Sequence, residues 1–390
     1  MARRLLYVIG SLEVGGAEQH LVQVACQLKE RGWNPELYAF TTGGPLSSRL
    51  QEAKIPVFGL SPAWMNSFPC KRLVARFRLV ATFAFLAWIM LVRRPALVHF
   101  FLPGAYIVGG IVSLFTFTRP RVMSRRSRNF YQRKHPYMTK LELFLHGHMD
   151  AVCGNSLAVV NDLKLEGVEA NKLHLIYNGI DLKRFLQHAA LNSLRQKLEI
   201  DENALVFICI ANLIPYKGHR DLLDALAEAR PLLPQPWVCL CVGRDDGIGA
   251  DLRALAAELG IGDNVRWLGG RSDIPDLLSC ADVGILCSHE EGFSNAVLEG
   301  MAAKLPMIVT DVGGNAEAVL DRITGRVVPP RQPAQLAQAI LEMASDPTRG
   351  EMGKLGRERV SENFSLTSCV TQYEALYDQT LRPSSFERPS

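Results

Sequence analysis

Glu291 and Glu299 stand eight residues apart in HEEGFSNAVLEGMAAKLP, the stretch from His289 to Pro306. The preceding run, ADVGILCS from Ala281 to Ser288, is short and rich in Val, Ile and Leu, as a buried parallel strand would be. Gly292 breaks the chain, and Ser294 or Asn295 can cap a helix through Ala296, Val297, Leu298, Met301 and Ala302, with Pro306 just past its end. Glu291 then lies before the helix and Glu299 inside it, on the order of 10 Å or more apart at a rise of ~1.5 Å per residue. A retaining glycosidase needs its carboxylates about 5 Å apart, so this spacing argues against one. It suits a ligand folded over the helix start. A diphosphate would rest on the N–H groups of Phe293, Ser294 and Asn295, a sugar would reach Glu291, and a ribose would reach Glu299. As a bare string, the same pair also describes one solvated and one helix-surface glutamate.

Three further strings carry chemistry. GGAE, Gly15–Glu18, follows an apolar run and opens a helical pattern; paired glycines allow either close approach to a ligand or a tight turn. It is neither G-x-G-x-x-G nor a P-loop, which argues against dehydrogenase and NTPase readings. In IANLIPYKGH, Ile210–His219, Lys217 sits where a cation would meet the second charge of a diphosphate, with an exposed helix-cap lysine as the alternative. From Arg119 to Lys134 come Arg119, Arg121, Arg125, Arg126, Arg128, Arg133 and Lys134 without an acid, and with Phe130 and Tyr131 interleaved. Arginine recognises phosphate and carboxylate by forked hydrogen bonds. No helix-turn-helix, zinc-finger or RNA-binding motif accompanies this run, so nucleic acid is not expected, and a solvated basic loop is the plain alternative.

Positioning these groups takes parallel strands. Strand patterns at Leu5–Ile9, Glu36–Phe40, Val57–Leu60, Ala96–Phe101, Arg121–Ser124, Ala151–Gly154 and Leu173–Tyr177 alternate with helical ones. The second half repeats the pattern at Leu205–Ala211, Trp237–Gly243, Val265–Leu268, Gly284–Ser288, Met307–Thr310 and Gly325–Val328. Such alternation predicts an α/β protein of two doubly wound Rossmann-like domains. The expected divisions are 1–182, 183–365, a helix over 366–383 returning to the first domain, and a frayed tail over 384–390. Ligands of open parallel sheets bind at the carboxyl ends of the strands, so the two domains are expected to face a cleft.

The 390 residues are 48% hydrophobic and 21% charged, ample for two domains and unlike a disordered chain. The net charge of +4 hides an asymmetry: residues 1–180 hold 22 Lys+Arg against 10 Asp+Glu, leaving 21 against 29. A basic half suits an anionic acceptor or membrane, or only a soluble surface. Nine cysteines, with Cys209, Cys239, Cys241, Cys280 and Cys287 in or beside strand patterns and no C-x-x-C pair, read as reduced core thiols, with no metal site. RRLLYVIGSLEVGG, Arg3–Gly16, reads as a first strand rather than a signal peptide. LVATFAFLAWIMLV, Leu79–Val92, is apolar but for Thr82 and flanked by Arg76, Arg78, Arg93 and Arg94. It is too short for a usual ~20-residue span. A buried helix of the first domain is the favoured expectation; a helix lying in a membrane surface or a short re-entrant dip are the alternatives.

GGAE at 15–18, NSLAVVNDL at 155–163, YNGIDLKRF at 177–185, NLIPYKGH at 212–219, VRWLGGRSDI at 265–274, EGFSNAVLEGMA at 291–302 and DVGGNAEAV at 311–319 together resemble the group 1 (GT4-type) retaining glycosyltransferases of the GT-B fold. The resemblance spans nearly the whole chain. It implies transfer of a sugar from a nucleoside-diphosphate sugar, usually a UDP-sugar, with retention of configuration and with neither metal nor cofactor. By the same resemblance, Glu291 is the acid near the reacting carbon, Glu299 the ribose acid and Lys217 the diphosphate lysine. Gly16 would lie near phosphates or acceptor, with Gly15 on the acceptor side. Phe293, Ser294 and Asn295 would lie near phosphates and donor sugar, and Leu268 near the base. Asn212 stands where many members have an arginine. SRRSRN, Ser124–Asn129, stands where many have T-x-H-G, so that histidine is missing. His99 is a possible substitute, although a packed histidine is the favoured reading, and Arg125, Arg126 and Arg128 are acceptor-side candidates.

The expected protein is a hexosyltransferase-type enzyme of polysaccharide biosynthesis, in the cytosol or on the cytoplasmic face of a membrane. Its partners would be a nucleotide-sugar donor, a saccharide or lipid-linked acceptor and, peripherally, a membrane. The rival readings are a sugar-nucleotide epimerase of the same architecture and a silent binding protein. No D-x-D string occurs, which disfavours a metal-dependent transferase of the other common architecture.

Overall fold

The computed structural model describes residues 3–60, 71–128, 132, 135–186 and 191–382, with backbone alone at 71–78 and 191–193. The chain divides into two compact units, one of residues 1–179 and 366–390, the other of residues 180–365. The division falls three residues before the 182/183 boundary expected from sequence. Phe130, Tyr131, Arg133 and Lys134 of the basic run, Asn129 of SRRSRN and the 384–390 tail lie outside the described residues.

The first unit is built on seven parallel strands: β1 Arg4–Ser11, β2 Asn34–Thr41, β3 Val57–Phe58, β4 Leu97–Phe101, β5 Arg121–Arg125, β6 Ala151–Gly154 and β7 Leu173–Leu175. Their spatial order is β3-β2-β1-β4-β5-β6-β7, so the strand order reverses between β1 and β4. One face of this sheet carries the helices Gly16–Glu30 and Leu366–Leu381; the other packs against helix residues such as Leu86, Ile89, Val112 and Leu145.

The C-terminal helix belongs to this unit by packing and by hydrogen bonding. Cys369, Val370, Tyr373, Leu376 and Tyr377 are buried in the core shared with Leu21, Val24 and Leu28. The Tyr377 hydroxyl meets Tyr7 at 3.1 Å and His99 at 2.7 Å, while Trp33 Nε1 donates to Glu374 at 2.9 Å. A buried hydroxyl needs such partners, and here two strands of the first sheet supply them.

The apolar stretch around Leu79–Val92 lies within a longer helix, Lys71–Arg93. Thr82, Leu86, Ile89 and Met90 are buried, whereas Leu79, Val80, Trp88, Leu91 and Val92 are more than half exposed. A helix laid on one side of a sheet buries a single stripe, so a sequence apolar all round leaves its other faces in the open. The buried-helix expectation is therefore corrected to a half-buried one. Among the described residues no helix is long and apolar enough to cross a membrane.

The second unit has six parallel strands: β8 Leu205–Ile210, β9 Trp237–Val242, β10 Val265–Gly269, β11 Val283–Leu286, β12 Met307–Thr310 and β13 Gly325–Val328. Their order is β10-β9-β8-β11-β12-β13, reversing between β8 and β11. β8 and β11 are therefore neighbours, although β9 and β10 intervene in sequence. Among the described cysteines, Cys209, Cys239, Cys241, Cys280 and Cys287 are buried.

Tyr377→Ala should lower the stability of the first unit by about 3–5 kcal/mol, the usual cost of truncating a buried aromatic to alanine. Urea unfolding followed by circular dichroism measures it; a change below ~1 kcal/mol would show that the C-terminal helix is not anchored by this side chain.

Candidate functional site

The loops leaving β8 and β11 meet at the reversal point of the second sheet. After β8 the chain makes a short 3-10 turn, Pro215–Lys217, and enters the helix His219–Ala229 through Gly218 at φ +72°. A Cβ on Gly218 would stand 2.0 Å from the Cys287 carbonyl oxygen, so this approach requires glycine. The Cys287 thiol donates to the Gly218 carbonyl at 3.2 Å, fastening one loop to the other.

Lys217 Nζ consequently reaches Glu291 Oε1 at 2.6 Å, and Ser288 Oγ donates to the same oxygen at 2.8 Å. Both charged side chains are largely covered, at 19% and 10% exposure. Burial, the largest single influence, would lower the Lys217 pKa, but the charge and hydrogen bond of Glu291, with smaller contributions from Tyr216 and Cys209, together hold the ammonium above the usual lysine value. The loop after β12 braces the main chain at Glu291 and Gly292. Gly313, at φ +55°, would carry a Cβ 2.2 Å from the Glu291 carbonyl oxygen, and Gly314 N donates to Gly292 O at 2.8 Å. The paired glycines of DVGGNAEAV were the available sequence signal for this brace.

Beyond Glu291, Ser294 caps the helix Asn295–Ala302 by backbone position, without a side-chain capping bond. Phe293 is buried, its ring 5.2 Å from that of Phe364, so its side chain anchors the turn. Glu299 lies in the second turn of this helix at 13% side-chain exposure, with Arg184 Nη1 3.7 Å from its carboxylate. Burial pushes its pKa up to about 7, against the weaker opposing pull of Arg184. Arg184 was not singled out from sequence: it lies far from Glu299 along the chain, and only folding brings it there.

The remaining donor-side residues are distributed around these loops. Asn212 Oδ1 accepts from Arg244 N at 3.1 Å, so Asn212 ties the loop after β8 to the one after β9. The Arg244 guanidinium pairs with Asp246 at 2.6 Å. Leu268 is partly buried in β10, at the sheet edge. His289, also not foreseen, bonds Asp221 at 2.8 Å, linking the loop after β11 to the first turn of the helix His219–Ala229.

In the first unit, Gly15 caps and Gly16 begins the helix after β1, and Gly16 is exposed. Several acceptor-side candidates have structural work instead. His99 is fully buried, with one ring nitrogen 2.7 Å from Tyr377 and the other 2.8 Å from Ser124. Burial, aided by the Arg126 charge, holds its pKa well below the usual histidine value. It is a core group, which corrects its place as a substitute for the missing histidine. Arg125 is buried between Glu142 at 2.8 Å and Glu166 at 2.5 Å, and Arg128 forks onto Asp162 at 2.5 and 3.1 Å. These acids come from later in the chain, so an acid-free run in sequence is not an acid-free site. Arg126 alone of the three pairs with no carboxylate among the described residues; it donates to Asn178 Oδ1 at 2.6 Å.

Two doubly wound parallel sheets, with a lysine and two glutamates gathered at the reversal point of the second, are those of an α/β protein whose ligands bind at the carboxyl ends of its strands. Residues 14–184 match the family described as Glycosyltransferase Family 4, and residues 192–359 match Glycosyl transferases group 1. The chain belongs to the group 1 glycosyltransferases. N-acetyl-alpha-D-glucosaminyl L-malate synthase of Bacillus anthracis is 29% identical over 249 residues, 63% of this chain and 64% of its own length. The UDP-Gal:alpha-D-GlcNAc-diphosphoundecaprenol alpha-1,3-galactosyltransferase of Escherichia coli is 28% identical over 214 residues, 54% of this chain and 55% of its own length. The chain thus spans less than two thirds of either curated relative. Among solved structures, Anabaena Alr3699/HepE in complex with UDP and glucose superposes with a TM-score of 0.83, at 22% identity, over 97% of this chain and 100% of that one. The likeness shows the GT-B fold.

Glu299 makes stability depend on pH. Between its unfolded pKa of 4.5 and its folded value of about 7, the folded state keeps a proton that the unfolded state has released, so stability falls as pH rises through this window. Glu299→Gln removes that loss. Relative to the parent, the variant should gain up to about 3 kcal/mol between pH 5 and pH 8, read by chemical denaturation at each pH. A difference that stays flat would contradict the burial assigned to this carboxyl.

Proposed function

We propose that the protein transfers a sugar from a nucleoside-diphosphate sugar, in the UDP form, to a saccharide or lipid-linked saccharide acceptor in glycan biosynthesis. The observation that carries this reading is the meeting of Lys217 and Glu291 beside the Asn295–Ala302 helix N-terminus, with Glu299 one turn further on. A diphosphate on the helix N–H groups would draw the Lys217 ammonium, releasing Glu291 to accept from sugar hydroxyls, while Glu299 accepts from the ribose. The UDP and glucose bound by Alr3699/HepE support a UDP-sugar donor. L-malate and diphosphoundecaprenol-linked GlcNAc, in the names of the two relatives, support an anionic acceptor and leave its class open between them.

The transfer proceeds with retention and without a metal in this reading. The bond from the anomeric carbon to the diphosphate oxygen breaks, the acceptor oxygen forms its bond on the same face, and the acceptor proton passes to the departing diphosphate. The protein's task is then to stabilise charge on that diphosphate and to orient the acceptor. Lys217 and the helix N-terminus do the first. Glu291, released by Lys217 and still held by Ser288, serves as a hydrogen-bond acceptor and a source of negative potential beside the reacting carbon.

The apolar residues left exposed on the helix Lys71–Arg93, with the neighbouring exposed Phe115, Phe117 and Arg94, support peripheral contact with the cytoplasmic face of a membrane. Trp88→Glu should lower co-sedimentation with vesicles containing phosphatidylglycerol at least severalfold; unchanged sedimentation would remove this contact from the proposal.

A screen of UDP-, GDP- and ADP-sugars for thermal protection tests the donor, since a ligand at ~100 Kd adds about 2.7 kcal/mol. With the donor found, Lys217→Ala should lower turnover about a hundredfold, the loss of one strong charge contact of ~3 kcal/mol. Unchanged turnover at saturating donor would sink the role of Lys217, and no protection by any nucleotide sugar would sink the transferase reading.

A further inference from the structure

The loops after β5, β6 and β7 bring to the carboxyl end of the first sheet a guanidinium that pairs with no carboxylate among the described residues. Arg126 follows β5 directly, Asn155 follows β6, and Asn178 lies shortly past β7. Arg126 Nη2 donates to Asn178 Oδ1 at 2.6 Å, and Asn155 Nδ2 reaches the same oxygen at 3.4 Å, so the three side chains converge on one point. Arg126 Nη1 is buried and has no acceptor among the described residues; Asn155 Oδ1 is buried and has no donor. A guanidinium taken out of water without a counter-ion is costly, and native proteins seldom retain one without a use.

Among the described residues the surroundings do not neutralise it. Arg125 and Arg128, on either side, are taken up by Glu142, Glu166 and Asp162. Glu18 attracts Arg126 only from a distance, since its carboxylate folds back over Gly15 at the start of its own helix. His20 and His99 are kept neutral by burial and by the Arg126 charge itself. Tyr373 offers a hydroxyl, which is a dipole and not a charge.

We propose that Arg126, Asn155 and Asn178 form the anion subsite of the acceptor, in which Arg126 Nη1 takes a phosphate or carboxylate oxygen and Asn155 Oδ1 takes a hydroxyl of the same molecule. The acceptor class is accordingly a hydroxylated anion, such as a sugar phosphate, a polyol phosphate or a hydroxy acid. The carboxyl ends of parallel strands are where such a ligand is expected, and Gly16, exposed at the end of the loop after β1, belongs to the same edge of the sheet. This assignment deepens the transferase reading and rests on it for the word acceptor.

Titration calorimetry with glycerol 3-phosphate, glycerate and glycerol tests it, with UDP as a separate ligand. The unaltered protein should bind glycerol 3-phosphate or glycerate and not glycerol; the better of the two identifies phosphate or carboxylate as the recognised group. Arg126→Gln should weaken that binding at least tenfold, the size of a single charge-assisted hydrogen bond, and leave UDP binding unchanged. Asn178→Asp guards against a merely unfolded variant. It places a carboxylate on Arg126 Nη2, and should abolish anion binding while keeping the thermal midpoint at or above that of the parent. Equal anion affinity in Arg126→Gln, no anion binding by the unaltered protein, or loss of anion binding in Lys217→Ala would each overturn the subsite. UDP binding that persists while the anion test fails leaves the transferase reading standing. Absence of any nucleotide-sugar binding removes that reading, whatever the anions do.

Discussion

The Lys217 ammonium and the Glu291 carboxylate touch because β8 and β11 lie side by side at the reversal of the second sheet, and much of that unit serves the contact. The two loops must approach so closely that Gly218 has no room for a side chain, and Gly313 is confined in the same way behind Glu291. Cys287 and Ser288, the residues that follow β11, use their side chains to fasten one loop and to share the Glu291 oxygen. A covered ion pair persists only when its remaining hydrogen-bonding capacity is met, and removing either partner strands the other charge. The pair is therefore a stored arrangement of charge, held by the approach of the two loops.

Charge in the first unit is distributed on another plan. Its excess of basic residues reads in sequence as one anion-binding surface, yet the guanidinium groups are mostly occupied. Glu36 takes Arg93 and Arg4, Glu142 and Glu166 take Arg125, and Asp162 takes Arg128. Those pairs tie helices and strands together. Arg126 is a buried guanidinium with no carboxylate partner among the described residues, where the sheet edge offers amides and a hydroxyl instead. The C-terminal helix contributes to this edge through Tyr373 and to the core through Tyr377, so a segment remote in sequence completes the unit that the N-terminus begins.

The alternation of short apolar runs with helical patterns was sufficient for the class of fold, since period and residue type record which faces are buried. Met307–Thr310, Gly325–Val328 and Ala151–Gly154 coincide with the observed strands. The motif strings were equally sufficient for the family, because glycines, a lysine and spaced glutamates are demanded by backbone approach and by charge, both local requirements. The helix around Leu79–Val92 was harder to read: composition says that it is apolar, and only its seat against the sheet decides which stripe is covered.

Partnership was decided by the tertiary structure. No spacing rule relates Arg184 to Glu299, Arg128 to Asp162, or His99 to Tyr377, since each pair is joined by packing across chain segments that local pattern does not connect. A sequence displays which charges a protein owns; burial and long-range contact determine which of them cancel. By itself, this sequence determined two doubly wound sheets and the family to which the chain belongs. The fold decided that His99 is a core group, that Arg125 and Arg128 pair with carboxylates, and that Arg126 meets none among the described residues, because neutralisation depends on distances of a few ångströms that only the packed chain establishes.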